Sequence, residues 1–371
     1  MTKRILIISA NFYPVLGPRP HRSTELAKEL SRRGHQVTVY TLKGGYDYSE
    51  FESKYGVIVK DLGKSEGGLR HNDGSINLSI WNRLKIKFLK NYLQYPFNEL
   101  VSKVNRVLEL ENNSYDVLIT IAVPHPIHWG ASKYFQKHNK KAIWIADCGD
   151  PFMNNPFHRP PNYFESFERK WCELVDYITI PIEEGKSGYY EEYRHKIKVI
   201  PQGFDMTGTK LAQYTGNDVP TFAYSGVFYP VNRDPSKLLS WLSTLEIDFK
   251  FVIYTNSPSI LEPYMSKLGS KLEVRGYVPR EQLIYELSKM DFLVNIKNNS
   301  AVQQPSKLID YYLTKRPIID VTSEFGEQNN FFEFVNGNYK NPHVNLDVSK
   351  FDIRNVVNEF EDLFIENRVL H

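Results

Sequence analysis

The chain has 371 residues, is 41% hydrophobic and 24% charged, and carries a formal net charge of +3. That length exceeds one ordinary core and predicts two domains of roughly 150–200 residues each, while the near balance of charge excludes a general polyanion binder. Cys148 and Cys172 are too few and too widely spaced for a disulfide framework or a local metal motif, which points to a reducing, cytoplasmic setting.

In chain order, "RILIISA" (4–10) is a short apolar run that empties into a Pro- and Gly-containing loop, the pattern of a buried parallel strand. The opening "MTKRILIISANFYP" therefore reads as a strand rather than a signal peptide, and no apolar run in the chain is long enough to span a bilayer. A helix follows, with Ser23 as its expected cap, Leu26, Ala27 and Leu30 facing the core, and Gly34 at its end. "QVTVYT", "YDVLITIAV", "KAIWIAD", "VDYITIPI" and "IKVIPQGFD" supply further strands, giving a doubly wound sheet. A second α/β half begins near "PTFAYSGVFYP", with strands in "DFKFVIYT", "KLEVRGYVP", "DFLVNIK" and "RPIIDVT". Helices are expected at "PSKLLSWLSTL", "REQLIYELSKM" and "SKLIDYYLTK", and the boundary within 203–218, where apolar periodicity stops. The fold class is thus α/β with two tandem Rossmann-like domains, 1–205 and 206–350, and a last amphipathic helix in 351–371 packing back on the first domain.

Polar residues gather where strands end, and open α/β sheets bind ligands at the carboxyl ends of their strands. In the first half these are Gly17, His21 and Arg22 in "NFYPVLGPRPHRS", His125 and His128 in "AVPHPIHWG", and Asp147 and Asp150 in "ADCGDPF". Each cluster alone also fits an ordinary turn or basic loop; their convergence at three strand ends favours function. Neither half has the G-x-G-x-x-G fingerprint, which argues against a dinucleotide cofactor. In the second half, "QQPSKLIDYYLTKRPII" (303–319) starts a helix at Pro305 and carries Ser306, Lys307 and Asp310 in its first turns. A helix N-terminus with an adjacent lysine suits a phosphate; an i,i+3 ion pair between Lys307 and Asp310 is the plainer alternative. Residues 81–106 carry six cations against the single acid Glu99, interleaved with Trp81, Leu84, Phe88 and Leu89. That stretch fits an anionic membrane surface and equally a solvated helix face.

Taken in order, these pieces resemble the family 4 glycosyltransferases, which have the two-Rossmann GT-B fold with a cleft between the domains. "ELAKELSRRGHQVTVYT" resembles the family's opening helix and "GHxVxVxT" strand, "VIPQGFD" its "VIPNGxD", and "YSGVFYPVNRDP" its "xGTFYxxRxP", placing Gly226 and Arg233. "QQPSKLIDYYLTKRPII" is similar to "PSKLFEYLAxGKPII" of one bacterial subgroup, with Asp310 for the usual Glu. "AVPHPIHWG" places His128 at that subgroup's histidine, and "WIADCGDPF" is similar to "xxDxRDPW", with Gly149 replacing Arg and Phe152 replacing Trp. Val302 stands where many members carry a first acidic residue.

The resemblance implies a retaining transferase that moves a sugar from a nucleotide-sugar donor to a glycan or lipid-linked acceptor in bacterial surface polysaccharide or glycoconjugate synthesis. In it, Gly17, Gly226, Arg233, Ser306 and Lys307 hold the donor, Asp310 accepts from ribose hydroxyls, and His128 contacts the donor sugar. His21, Arg22, His125, Asp147 and Asp150 lie on the acceptor side. No metal and no cofactor besides the nucleotide-sugar substrate is expected, nor any nucleic acid; a peripheral contact with the inner face of the cell membrane is. The competing readings are a GT-B sugar-nucleotide epimerase and, given Val302 and Gly149, a non-catalytic sugar-nucleotide-binding subunit.

Overall fold

The computed structural model describes residues 1–64, 88–90, 92–155, 159–228, 233–297, 307–339 and 347–366, without the side chains of Lys307 and Glu366. The chain divides into two compact units, Met1–Asp205 with Lys350–His371, and Met206–Ser349.

The first unit is built on a seven-stranded sheet in the order β3-β2-β1-β4-β5-β6-β7. Its strands are β1 (Arg4–Ser9), β2 (Gln36–Thr41), β3 (Ile58–Asp61), β4 (Val117–Ala122), β5 (Ile143–Cys148), β6 (Tyr177–Ile180) and β7 (Ile197–Val199). Every pairing is parallel, with Ile5 of β1 opposite Val37 of β2 on one side and Val117 of β4 on the other. Parallel strands covered on both faces need unbroken apolar runs, and β4 is buried at all six positions. The edge strands are the exceptions, β3 being buried only at Val59 and β7 only at Ile197.

The helix Pro18–Arg32 starts five residues before the Ser23 cap that its sequence suggests. Gly17, at φ +142°, makes the turn into it, and prolines suit a first helical turn because their missing N–H groups have no partner there. Ser23 is instead buried in the helix, its hydroxyl donating to Pro20 O at 3.0 Å and Asn11 O at 3.1 Å. The C-terminal helix Ile353–Glu366 belongs to this unit: Val356, Val357, Phe360 and Leu363 share one core with Leu26, Leu30 and Val37. Arg33 donates to Asn358 Oδ1 at 2.6 Å, and His35 Nε2 meets Glu361 Oε1 at 2.8 Å.

The second unit has a five-stranded parallel sheet in the order β10-β9-β8-β11-β12. These are β8 (Thr221–Ser225), β9 (Lys250–Tyr254), β10 (Leu272–Arg275), β11 (Phe292–Ile296) and β12 (Ile318–Val321). An aromatic core of Phe222, Phe251, Phe292 and Phe331 fills one face, with the Phe222 and Phe292 rings stacked at 4.7 Å.

In both sheets the chain runs outward one way, then returns to the middle and runs outward the other way. The reversal lies between β1 and β4 in the first unit and between β8 and β11 in the second. Such a switch point leaves a crevice at the strands' carboxyl ends.

Candidate active site

At the switch point of the second unit, β8 ends at Ser225 and the backbone turns through Gly226 at φ +143°, a conformation that favours glycine. Gly226 N–H donates to Tyr254 O at 3.0 Å, which ties the turn to β9. The helix Lys307–Leu313 stands over this strand end, because Ser225 N–H donates to the Tyr311 hydroxyl at 2.7 Å. Tyr311 is fully buried. Its hydroxyl pKa is driven up by burial first and by Tyr224, while the nearby positive charge of Arg233 pulls the other way. Arg233 is thus near enough to the Tyr311 hydroxyl to act on it electrostatically, and Gly226 follows the Ser225 whose N–H donates to that hydroxyl. Ser306 and the Lys307 side chain lie outside the described residues.

Asp310 has a partner on a different helix. Its partner is Arg280, the first residue of the helix Arg280–Leu287, with Nε donating to Oδ1 at 2.7 Å. Burial raises the Asp310 carboxyl above the usual range, and Arg280 opposes that rise. Sequence reading misses Arg280, because its partner is thirty residues away and on another helix.

At the switch point of the first unit the candidates are held by one another. Asp147, near the end of β5, is 1% exposed. It accepts from Arg22 Nη2 at 2.9 Å, from Thr179 Oγ1 at 2.8 Å and from Arg19 Nη1 at 3.4 Å. Burial alone would raise its carboxyl, but the two arginines outweigh that and hold it below the usual range. Arg22 also donates to Pro201 O at 2.5 Å and Ile200 O at 3.3 Å, and lies over the Phe360 ring at 4.9 Å. It fastens Pro18–Arg32, β5, the end of β7 and the C-terminal helix together. His21 stacks on Phe204 with ring centroids 4.8 Å apart, its Nε2 3.0 Å from Gly203 O. These groups stand at strand ends as their sequence positions imply, yet Arg22 and Asp147 present buried, satisfied side chains rather than ligand-facing ones.

Gly149 explains one departure from the family pattern. A Cβ at this position would lie 2.9 Å from Arg19 Cζ and 3.0 Å from Arg19 Nε. Where the resembling sequences have arginine, this chain has a bare backbone with the guanidinium of Arg19 laid over it. Asp150 follows and adds to the negative field at Arg19.

His128 requires a correction. The sequence places it facing a ligand, but in the helix Pro126–Phe135 it is 0% exposed. Its Nδ1 shares a hydrogen bond with Thr120 Oγ1 at 2.8 Å, its Nε2 lies 3.3 Å from Cys148 Sγ, and its ring packs on Trp171 at 4.9 Å. Trp144 Nε1 donates to the same Thr120 oxygen at 2.8 Å. Burial, and secondarily the charge of His125, pushes its pKa far below the usual imidazole range. His125, which precedes this helix, is also buried, and desolvation takes it down to about 4. Both rings are therefore neutral near pH 7. The reason is register: β4 and β5 pair with Ala122 opposite Cys148, so the start of the helix after β4 rests on the end of β5. One ring nitrogen each of His125 and His128 and the Cys148 sulfur lie within 4.8 Å of one another.

The chain thus contains two doubly wound parallel sheets, each with polar residues near its switch point. No family model matches the chain, and no curated protein matches it significantly. Solved structures do. A glycosyltransferase from Rickettsia africae aligns over 98% of this chain and 98% of its own, at 14% identity and a TM-score of 0.63. The lipopolysaccharide outer core galactosyltransferase WaaB, in its apo form, aligns over 98% and 99%, at 13% identity and a TM-score of 0.62. Anabaena HepE in complex with UDP aligns over 97% and 98%, at 11% identity and a TM-score of 0.62. The fold is thus that of the GT-B glycosyltransferases, with two Rossmann-like domains. Among the described residues no helix is long and apolar enough to cross a membrane.

Proposed function

We propose that the protein is a retaining glycosyltransferase of the family 4 type, moving a sugar from a nucleotide-sugar donor to a glycan or lipid-linked acceptor in bacterial surface polysaccharide or glycoconjugate synthesis. The observation that carries this reading is the switch point of the second unit, where the turn at Gly226 follows Ser225, Ser225 N–H donates to Tyr311 of the helix Lys307–Leu313, and the charge of Arg233 acts on that same hydroxyl. It is supported by the fold shared with HepE, which was solved with UDP and with UDP-glucose.

Sugar transfer leaves negative charge on the departing nucleoside diphosphate, and fixed cations stabilise that charge as it develops. Arg233 and Lys307 supply them, so this step needs no metal ion. Gly226 lets the backbone approach the diphosphate, Ser306 adds a donor, and Asp310, steadied by Arg280, accepts from the ribose hydroxyls. The first unit takes the acceptor side, where His21 and Asp150 are the remaining polar candidates, and the buried His128 is not assigned the donor-sugar contact. Residues 81–106, of which 81–87 and 91 lie outside the described residues, bring the enzyme to the anionic inner face of the cell membrane. Neutralising Lys85, Lys87 and Lys90 then abolishes sedimentation with anionic vesicles at low salt.

The decisive experiment is incubation with a panel of sugar nucleotides, reading thermal shift and slow donor hydrolysis. A stabilising donor that is hydrolysed, and transferred once acceptor is added, supports the reading. Stabilisation with turnover to an isomeric donor would mean an epimerase, and stabilisation with no turnover a binding subunit.

A further inference from the structure

The buried cluster in the first unit has a use that the transfer reaction does not assign. One ring nitrogen each of His125 and His128 and the thiol sulfur of Cys148 lie within 4.8 Å of one another, all three residues being buried. Tetrahedral zinc, with Zn–N about 2.0–2.1 Å and Zn–S about 2.3 Å, places its ligand atoms roughly 3.5 Å apart. His128 Nε2 and Cys148 Sγ are already 3.3 Å apart. His125 Nδ1 is buried without a hydrogen-bond partner in the structure, and such an orphan calls for an explanation.

We propose that His125, His128 and Cys148 are ligands of a buried zinc ion that fastens the start of the helix Pro126–Phe135 to the end of β5. Two imidazoles and a thiolate form a donor set suited to zinc. The surroundings have the form of a metal site's supporting groups. Thr120 holds the other nitrogen of His128 at 2.8 Å, fixing the ring as such partners do. Binding replaces the Cys148 S–H bond with a Zn–S bond and releases the proton to solvent. The role is structural and independent of the proposed transfer, whose cations lie in the other unit.

The test uses the full chain, purified under reducing conditions from zinc-supplemented cells. Elemental analysis is expected to give about one zinc per chain, as a single site requires. Replacement by Co²⁺ is expected to give the thiolate-to-cobalt charge-transfer band of a cysteine ligand. Cys148→Ser abolishes the band and Cys172→Ser keeps it. Thr120→Val keeps it but weakens zinc binding by roughly 10–100-fold. His125→Ala, checked for fold by circular dichroism, weakens it further. A wild-type protein without stoichiometric zinc or the cobalt band overturns the proposal, and so does a band that survives in Cys148→Ser.

Discussion

The two units share one topology and use its switch point differently. In the first, the ion pair at the strand ends is sealed: the side chains of Arg22 and Asp147 are 3% and 2% exposed. In the second, the corresponding pair stays partly open, with Arg280 and Asp310 at 26% and 16%. Doubly wound sheets bring polar residues to strand ends in either case, so convergence alone does not mark a ligand site. A group whose hydrogen-bonding capacity is taken up inside the protein acts on the fold; a group still reachable from solvent can act on a ligand.

The sharpest way to break this contrast is Asp147→Ala. It leaves Arg22 buried beside an empty partner position, and removing one member of a buried pair costs about 3–5 kcal/mol. Urea unfolding should show that loss, whereas Asp310→Ala, at the more open pair, should cost clearly less. Similar losses in both variants would erase the distinction. Next, Arg233→Ala and Lys307→Ala should each lower transfer by roughly two to three orders of magnitude, the effect of removing one donor to transition-state charge, with unfolding midpoints unchanged. Near-normal initial rates in both variants would remove the donor assignment from the second unit.

Smaller effects sharpen the comparison within that unit. Asp310→Ala should weaken nucleotide binding by about tenfold, or 1.4 kcal/mol, while changing the chemical step less, since ribose contacts are mostly uniform binding. Arg280→Ala should weaken it by a similar factor, and the double variant should add little, because the two side chains act as one pair. Full additivity in calorimetric titration would show that Arg280 contacts the nucleotide on its own. Gly226→Ala should cost about 1–2 kcal/mol for placing a Cβ at positive φ, and should lower nucleotide affinity through the displaced turn. Unchanged affinity would show that the backbone does not approach the ligand there.

The fold was legible because buried parallel strands write themselves as unbroken apolar runs: "LITIA" and "FLVNI" cannot be mistaken for surface. The edge strand β3 escaped, since "IVKD" is short and exposed at three of four positions. The helix Ser49–Tyr55 before it escaped as well, being seven residues long. Among the site candidates, Gly226 came from the resemblance of "YSGVFYPVNRDP" to a family motif, and the structure puts it just past β8. Arg280 and Arg19 could not be read from the sequence, because a side chain's partner 30 or 128 residues away leaves no local spacing. His128 misled for a related reason. Its position past a strand is that of a ligand contact, and only the β4–β5 register reveals that it faces a neighbouring strand end.

The C-terminal helix carries a consequence for synthesis on the ribosome. Phe204 N–H donates to Phe351 O at 2.8 Å and Ile353 N–H to Phe204 O at 2.9 Å, so the outgoing and returning chain are pinned side by side within the first unit. The second unit is thereby an insertion between two parts of the first. Domains generally complete in order of emergence, but here the unit that begins first is closed last. Residues 206–349 can reach their final structure while the sheet of the first unit still waits for Val356, Val357 and Phe360 to cover it. A stop codon a few residues into Ile353–Glu366 would therefore strand the older part of the chain and spare the younger.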